Sequence, residues 1–319
     1  MKISDLAGLS KPLMKLLDVI SSGTGALYRP VGIRREAKAH AEAIKLLGNA
    51  QTDVDVAKSK ALAATDASNK ILLYDADASI ERRVAARVEN RELIRQTNIE
   101  AIADAAASHM PNEASDKPVD EDWKARFFKI AEDVSNSNMQ DLWGRILAGE
   151  VAQPGKYSLR SLDALRNLSR DEAEAFRHLR YLTGDDGSVY RLDNAGNLGP
   201  FGVTYQHILD LRAAGVVSDG DMLTITYAIP DEIQFFTIPF NGKLLLLEFA
   251  DQVPKKTVAL ECLILTRVGV ELMSLIEPCP NRDYLDKLAE KYQTQYVLML
   301  GESGQPKTLF QTLGQGPYS

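Results

Sequence analysis

A run of 62 residues, from Asn49 to Met110, contains neither glycine nor proline, and fifteen of these residues are alanine. A stretch so free of helix breakers favours one long helix or a helical hairpin. One continuous helix of this length would span about 90 Å, which exceeds the diameter of a small domain. Such a helix cannot bury its apolar stripe inside one small domain, and the run therefore predicts assembly with a partner.

Small residues recur in this run in a heptad pattern that is typical of the seam between paired helices. Alanine at a seam permits close helix approach but buries little apolar area. The pattern fails at Asp75, so the sequence leaves open a single rod or a hairpin near residues 74–79. We expect residues 31–110 to form a coiled-coil-like oligomerisation region. The predicted seam comprises Ala43, Leu47, Ala50, Val54, Ala57, Ala61, Ala64 and Ile71.

Residues 1–30 form a separate predicted segment with a short amphipathic helix. The first 50 residues carry a net charge of +4, which leaves −11 for the other 269. Ser10 is the predicted N-cap, Pro12 lies in the first turn, and apolar residues follow at helical spacing. Such a helix either lies on a membrane or docks on protein, and docking is the commoner fate. The residues predicted for membrane or partner contact are Lys11, Leu13, Lys15, Leu16, Leu17 and Ile20.

A basic stripe follows the alanine-rich pattern, with four arginines spaced four residues apart. Glutamates at positions 81, 89 and 92 lie among them, so neutralisation within the helix is available. The stripe is a candidate phosphate-binding surface, although a solvated face or an interhelical ion-pair surface is the favoured interpretation. Its members are Arg83, Arg87, Arg91 and Arg95.

Segments beyond Pro111 predict a change of architecture. The acidic, proline-containing residues 111–122 are expected to be a linker, and apolar periodicity predicts a helical domain over 123–183. Residues 184–319 contain four strand-like segments at 222–229, 233–240, 243–249 and 258–266, with Asn241-Gly242 as the hairpin signal. We therefore predict a mainly α fold with a C-terminal α+β part, and the element order there is typical of a winged-helix domain.

The candidate recognition helix of this winged-helix part spans residues 204–214. Arg212 is its only cation, accompanied by Gln206, His207 and Asp210. A helix that reads a DNA groove needs cations to neutralise phosphates. The sequence therefore favours a structural or protein-docking role for this helix over nucleic-acid binding.

No catalytic, cofactor-binding or metal site is predicted. The four histidines are far apart, and neither Cys262 nor Cys279 stands in a metal-ligand spacing. Glu174 and His178 lie four residues apart and are expected to form a surface ion pair. The sequence lacks a secretory signal and any 18-residue apolar window, so we expect a cytoplasmic protein, at most peripheral to the inner membrane.

Two stretches resemble known bacterial families. The opening, residues 3–13 through 26–30 and 33–39, is similar to a family known only as a domain of unknown function, and the similarity runs over most of the chain. The stretches 139–148 and 165–173 resemble the core of the alpha-type abortive-infection proteins of phage defence. This second resemblance implies a role in defence, by growth arrest of infected cells, and offers no catalytic residues to carry over.

These observations lead to one functional hypothesis and one alternative. The chain is expected to be a non-enzymatic, homo-oligomeric anti-phage protein whose N-terminal helix contacts a membrane or a partner, with itself and a phage or host protein as partners. The alternative is a nucleic-acid-associated regulator or adaptor that uses the winged-helix part or the arginine stripe. No cofactor is expected.

Overall fold

The structure, a computed structural model, describes residues 10–25, 79–192, 198–220, 223–229, 235–249 and 257–314. The chain divides into two compact units, residues 1–157 and 158–319. This division differs from the boundaries expected at 122 and 183. The segment predicted as a linker lies inside the first unit, and the predicted helical domain is divided between the two.

Four helices build the described part of the first unit. They are α1 (Lys11–Thr24), α2 (Ile80–Ser108), α3 (Glu121–Ala131) and α4 (Ser137–Ala152). At the centre of this core Trp123 stacks on Phe127, with ring centroids 4.9 Å apart, and Trp143 packs at a tilt against Phe127, with centroids 5.5 Å apart. A Cβ on Gly144 would lie 2.5 Å from the Cβ of Ala105, so only glycine permits this close approach of α4 to α2.

The long helical run does not continue unbroken from residue 49 to residue 110. Ser79 has extended backbone angles, and its hydroxyl accepts a hydrogen bond from the Arg82 N–H, so α2 begins at Ile80. A single rod is therefore excluded. The helix ends at Ser108, just before Pro111, as the sequence predicts. Residues 26–78, which include the predicted seam, lie outside the described residues.

The second unit combines five helices and seven strands in its described part. The helices are α5 (Leu159–Asn167), α6 (Arg170–Arg180), α7 (Tyr205–Ala213), α8 (Arg267–Met273) and α9 (Arg282–Tyr292). The strands are β1 (Ser188–Tyr190), β2 (Leu223–Ala228), β3 (Phe235–Phe240), β4 (Lys243–Phe249), β5 (Thr257–Ile264), β6 (Tyr296–Gly301) and β7 (Gln311–Thr312). The predicted α+β character is confirmed.

The strands form two antiparallel sheets, one ordered β1-β5-β2 and the other β3-β4-β6-β7. The predicted Asn241-Gly242 hairpin is confirmed, because Phe240 pairs with Lys243. Both turn residues have positive φ, 53° and 77°, as a type I′ turn requires. Strand β2 pairs not with the next strand but with β5, so the β3–β4 hairpin is an insertion between two partners of the other sheet.

Side-chain capping differs between two helix N-termini. The predicted N-cap Ser10 makes no side-chain hydrogen bond to α1. The Ser169 hydroxyl accepts from the Glu172 N–H while the Glu172 carboxylate accepts from the Ser169 N–H, which is a capping box at the start of α6. Among the described residues, no helix combines the length and apolar character that crossing a membrane requires.

Candidate functional site

The apolar stripe of α1 is packed inside the first unit. Leu16 and Ile20 are completely buried, and Leu13 and Leu17 are half-buried. Helix α1 contacts α3 and α4, so docking on the rest of the protein, the commoner fate of such helices, is what the structure shows. The prediction that this helix also contacts a membrane or a partner stays a prediction.

Both cations predicted for α1 contacts are engaged within the unit. The Lys15 ammonium donates to the carbonyl oxygens of Ser115, Lys117 and Val151 at 2.7, 2.7 and 2.8 Å. Partial burial lowers the pKa of Lys15, against the opposing effect of Asp116. Lys11 pairs with Asp116 at 2.5 Å. These contacts fix the 111–122 segment against α1, which explains why that segment is not a free linker.

The arginine stripe lies along the first half of α2, and its two ends differ in their contacts with acidic residues. Arg95 contacts Glu92, Glu132 and Asp133 at 3.2, 3.7 and 3.6 Å, so this end of the stripe forms the predicted interhelical ion-pair surface. Arg87 and Arg91 are exposed on the two preceding turns.

Helix α7 presents an apolar outer face to solvent. Tyr205 is 67% exposed and Leu209 is 37% exposed, and Ala213 continues their line at a spacing of four residues. Ile208 and Leu211 on the opposite side are buried in the core of the unit. A large exposed aromatic and a leucine one turn apart form an anchor pair of the kind found at protein interfaces.

The only cation of α7 points away from this face. The Arg212 guanidinium donates from Nε to the Ser218 carbonyl at 3.1 Å and from Nη2 to the Gly220 carbonyl at 3.3 Å. Gln206 and Asp210, the remaining polar residues on the outside, bond to each other at 2.8 Å. The outer face therefore offers no cation for a phosphate.

A cleft of about 820 Å³ continues the apolar line of α7 at its C-terminal end. Residues of α5, the α7 end and the α8 start line this cleft. Leu159, Ala164, Ala213, Ala214 and Val268 supply its apolar surface, and Arg160, Asp163 and Arg267 supply charged groups. We call the α7 outer face together with this cleft the docking surface.

A buried carboxylate holds the walls of this cleft together. Glu271 of α8 accepts from the Ser158 N–H and from the Ser161 hydroxyl, each at 2.6 Å, at the start of α5. Its other oxygen accepts from Arg267 Nε at 2.7 Å. Burial raises the pKa of Glu271, but these hydrogen bonds outweigh burial and hold the pKa below its ordinary value. The carboxylate joins two elements that are 113 residues apart in sequence.

Other titratable groups in the second unit have structural roles. Asp186 accepts from both the N–H and the hydroxyl of Ser188, at 3.0 and 2.5 Å, which stabilises the turn at residues 185–187. His178 lies 3.4 Å from Glu174 in an exposed pair, as expected. Within the described ranges, no group of three or more histidine, cysteine, aspartate or glutamate residues is placed to hold a metal ion.

Sequence reasoning missed the residues that define the docking surface. Tyr205 and Leu209 fit an ordinary helix pattern, and the sequence does not indicate which face of α7 is covered. The presence of two bulky apolar residues on the side opposite Ile208 and Leu211 is the signal that could have found them. Glu271 and its partners at the start of α5 carry no local signal, because they meet only in the folded unit.

A model of one protein family matches residues 82–289, about two thirds of the chain, and its description is "Protein of unknown function (DUF2806)". The match spans α2 to α9 almost completely, including all of α7 and the cleft. No curated protein and no solved structure matches the chain.

Proposed function

This chain belongs to the DUF2806 family, and we propose that it is a non-enzymatic, homo-oligomeric anti-phage protein that recognises a protein partner through the docking surface. The defence role derives from the resemblance of residues 139–173 to abortive-infection proteins. The partner is a phage or host protein. The observation that carries protein recognition is the apolar, cation-free outer face of α7.

The topology of the second unit supports treating α7 as a recognition element. Helix α7 precedes β2, and β2 pairs with β5 beside β1. This order supports the proposed winged helix, in which the hairpin of β3 and β4, part of the other sheet, is inserted between the two paired strands β2 and β5. In DNA-binding winged helices the corresponding helix lies in the major groove, so its outer face is the one selected for contact.

Electrostatics favour protein over DNA at this face. Lysine and arginine side chains that neutralise phosphates supply most of the sequence-independent affinity of a protein for DNA. Arg212 is bonded to backbone carbonyls, and Asp210 adds a negative charge. The exposed Tyr205 instead matches the aromatic anchors that are enriched at protein interfaces, and Leu209 adds apolar area beside it.

Helix α1 and residues 31–110 complete the proposal. The region 31–110 assembles copies of the chain, and α1 serves as a membrane- or partner-contacting element. Because Leu16 and Ile20 are fully buried, their transfer to water costs about 1.5–3 kcal/mol each. A lipid or protein ligand of α1 therefore has to offset that loss together with the Lys15 hydrogen bonds. Helix α1 can therefore contact a ligand only after it leaves the core, whereas the outer face of α7 is exposed in the folded unit.

The test is a phage challenge of cells that express the full chain. Tyr205→Ser combined with Leu209→Ser should reduce protection at least about tenfold, since an interface anchor contributes 1–2 kcal/mol or more. Leu309→Ser combined with Val297→Ser is the matched control, because both residues are exposed apolar residues of the same unit outside the docking surface. Equal protection by both double variants would exclude the docking surface, and no protection by the parent chain would exclude the defence role.

The alternative function, a nucleic-acid-associated regulator, is tested by measuring duplex binding with the same proteins after purification. Binding of a generic duplex at about 50 mM salt, with a steep decline as salt is raised, would replace protein recognition as the function of this unit. We expect no duplex binding by the docking surface, and therefore no difference between the parent chain and the Tyr205→Ser, Leu209→Ser variant.

A further inference from the structure

The exposed half of the arginine stripe borders a pocket in the first unit. A cavity of about 340 Å³ lies between α2 and the residues that follow α3. Arg87, Asn90, Arg91 and Ile94 of α2 line one side, and Ser135 contributes to the other. The i, i+4 spacing places the two guanidinium groups on successive turns of one helix face. The cavity is therefore a concave site with two cations at its edge.

The acidic residues of the pocket are already matched by a third arginine. Glu132 and Asp133 also line the cavity, and Arg95 contacts both of them at 3.7 and 3.6 Å. Arg87 forms no hydrogen bond or ion pair with any residue in the described ranges. Arg91 contacts only Glu92 among charged groups of those ranges, at 3.4 Å, and both side chains are more than half exposed. Exposed pairs of this kind contribute little, so the Arg91 guanidinium can exchange this contact for a ligand.

The wall opposite the arginines is held in place. The Asn98 side chain is buried, donates from Nδ2 to the Glu132 carbonyl at 2.9 Å, and accepts from Gln140 Nε2 at 3.2 Å. The end of α3 is thereby tied to the middle of α2. A ligand that enters the pocket meets a fixed wall and has to order only two arginine side chains.

We infer that this pocket binds the phosphate group of a small molecule, with Arg87 and Arg91 as the cationic ligands. Guanidinium groups donate two parallel hydrogen bonds to tetrahedral oxyanions, which suits two arginines that converge on one cavity. The Ser135 hydroxyl lies in the same lining as an additional donor.

The number of available cations distinguishes a small phosphate from a nucleic acid. A surface that binds duplex nucleic acid needs a row of cations along the helix. Arg95 forms ion pairs with carboxylates, and Arg83 is half-buried. Two arginines remain, far fewer than the 6–10 phosphate contacts that give a nucleic-acid binder its affinity. The site fits one phosphate group, and with two acidic residues nearby we expect its affinity for inorganic phosphate to lie in the millimolar range, on the order of 1 mM.

The experiment measures equilibrium binding of radiolabelled inorganic phosphate to the full chain at constant ionic strength. Arg87→Gln and Arg91→Gln should each weaken saturable binding about tenfold, the loss of one charge-assisted contact. Arg82→Gln is the matched control, because Arg82 is an exposed residue of the same helix outside the pocket. It should change the dissociation constant less than about twofold, since Arg82 does not line the pocket and salt screens the remaining interaction through water.

Two further measurements make the outcome decisive. Asp133→Asn should strengthen phosphate binding, because it removes a repulsive carboxylate from the lining and leaves Arg95 partly unmatched. All four positions are exposed, so unfolding midpoints should match the parent chain. The inference is overturned if phosphate shows no saturation, if Arg82→Gln weakens binding as much as Arg87→Gln, or if a duplex binds tightly and requires the same two arginines.

Discussion

Helices α1 and α7 are both short and each buries an apolar stripe, yet their outer faces differ. In α1 the apolar stripe is buried, and both nearby lysines are bonded within the first unit. In α7 a second apolar stripe, Tyr205 and Leu209, remains exposed, while the single cation Arg212 is bonded inward. The helix that the sequence indicates for external contact is covered, and the helix that looks ordinary offers the open surface.

This comparison teaches that amphipathic spacing identifies a face but not its partner. The apolar stripe of α1 packs against α3 and α4 of the same unit. In α7 the residues that pack in the core are Ile208 and Leu211. The exposed Tyr205 and Leu209 are therefore not needed to attach this helix to the core. Exposed apolar residues that folding does not require are the ones available for recognition.

The largest expected effect concerns the covered face of α1. Ile20→Ala should destabilise the first unit by about 2–5 kcal/mol, because it removes a fully buried side chain and leaves a cavity. Met14→Ala on the same helix is the control, since Met14 is 42% exposed and its loss should cost less than about 1 kcal/mol. Urea unfolding measures both. Equal, small effects would mean that α1 is not docked in solution.

A second, smaller effect concerns the wall of the cleft beside α7. Glu271→Gln should destabilise the second unit by about 2–3 kcal/mol at neutral pH, because hydrogen bonds to a charged acceptor are lost. The folded pKa of Glu271 lies below its ordinary value, so its stabilisation is fully present above about pH 4.3 and is lost as the pH falls through the folded pKa. The difference between the two proteins should therefore narrow in that acidic range. A constant difference would show that the carboxylate charge is not involved.

The smallest expected effect on stability concerns the open face of α7. Tyr205→Ser and Leu209→Ser should each change the free energy of unfolding by less than about 1 kcal/mol, because both side chains are exposed. Urea unfolding of the same unit gives the measurement, and Leu211→Ala, a fully buried neighbour, gives the contrast. Destabilisation by Tyr205→Ser comparable to Leu211→Ala would mean that the outer face is covered.

Elements of the fold that depend on local chemistry could be predicted from the sequence. The Asn241-Gly242 turn depends on a few adjacent residues and lies where expected. The end of α2 before Pro111 and the strands from residue 223 to 301 follow in the same way. The family model also agrees with the expectation of an uncharacterised domain family.

Features that depend on long-range contacts could not be predicted. Lys15 meets the carbonyl of Val151, 136 residues away, and this contact converts a predicted linker and a predicted surface helix into parts of one core. Strand β2 pairs with β5 across an inserted hairpin, although strand propensity gives no information about partners. The docking surface and the Glu271 contacts arise only once these pairings exist.

Thiol labelling of single cysteines at positions 20 and 209, in a chain whose exposed Cys279 is replaced by serine, tests the central claim most directly. We expect Leu209→Cys to react at the rate of an exposed thiol, and Ile20→Cys to react more than about a hundredfold more slowly until denaturant is added, since opening a packed helix costs several kcal/mol. Equal labelling rates at the two positions, or faster labelling at position 20, would contradict the account.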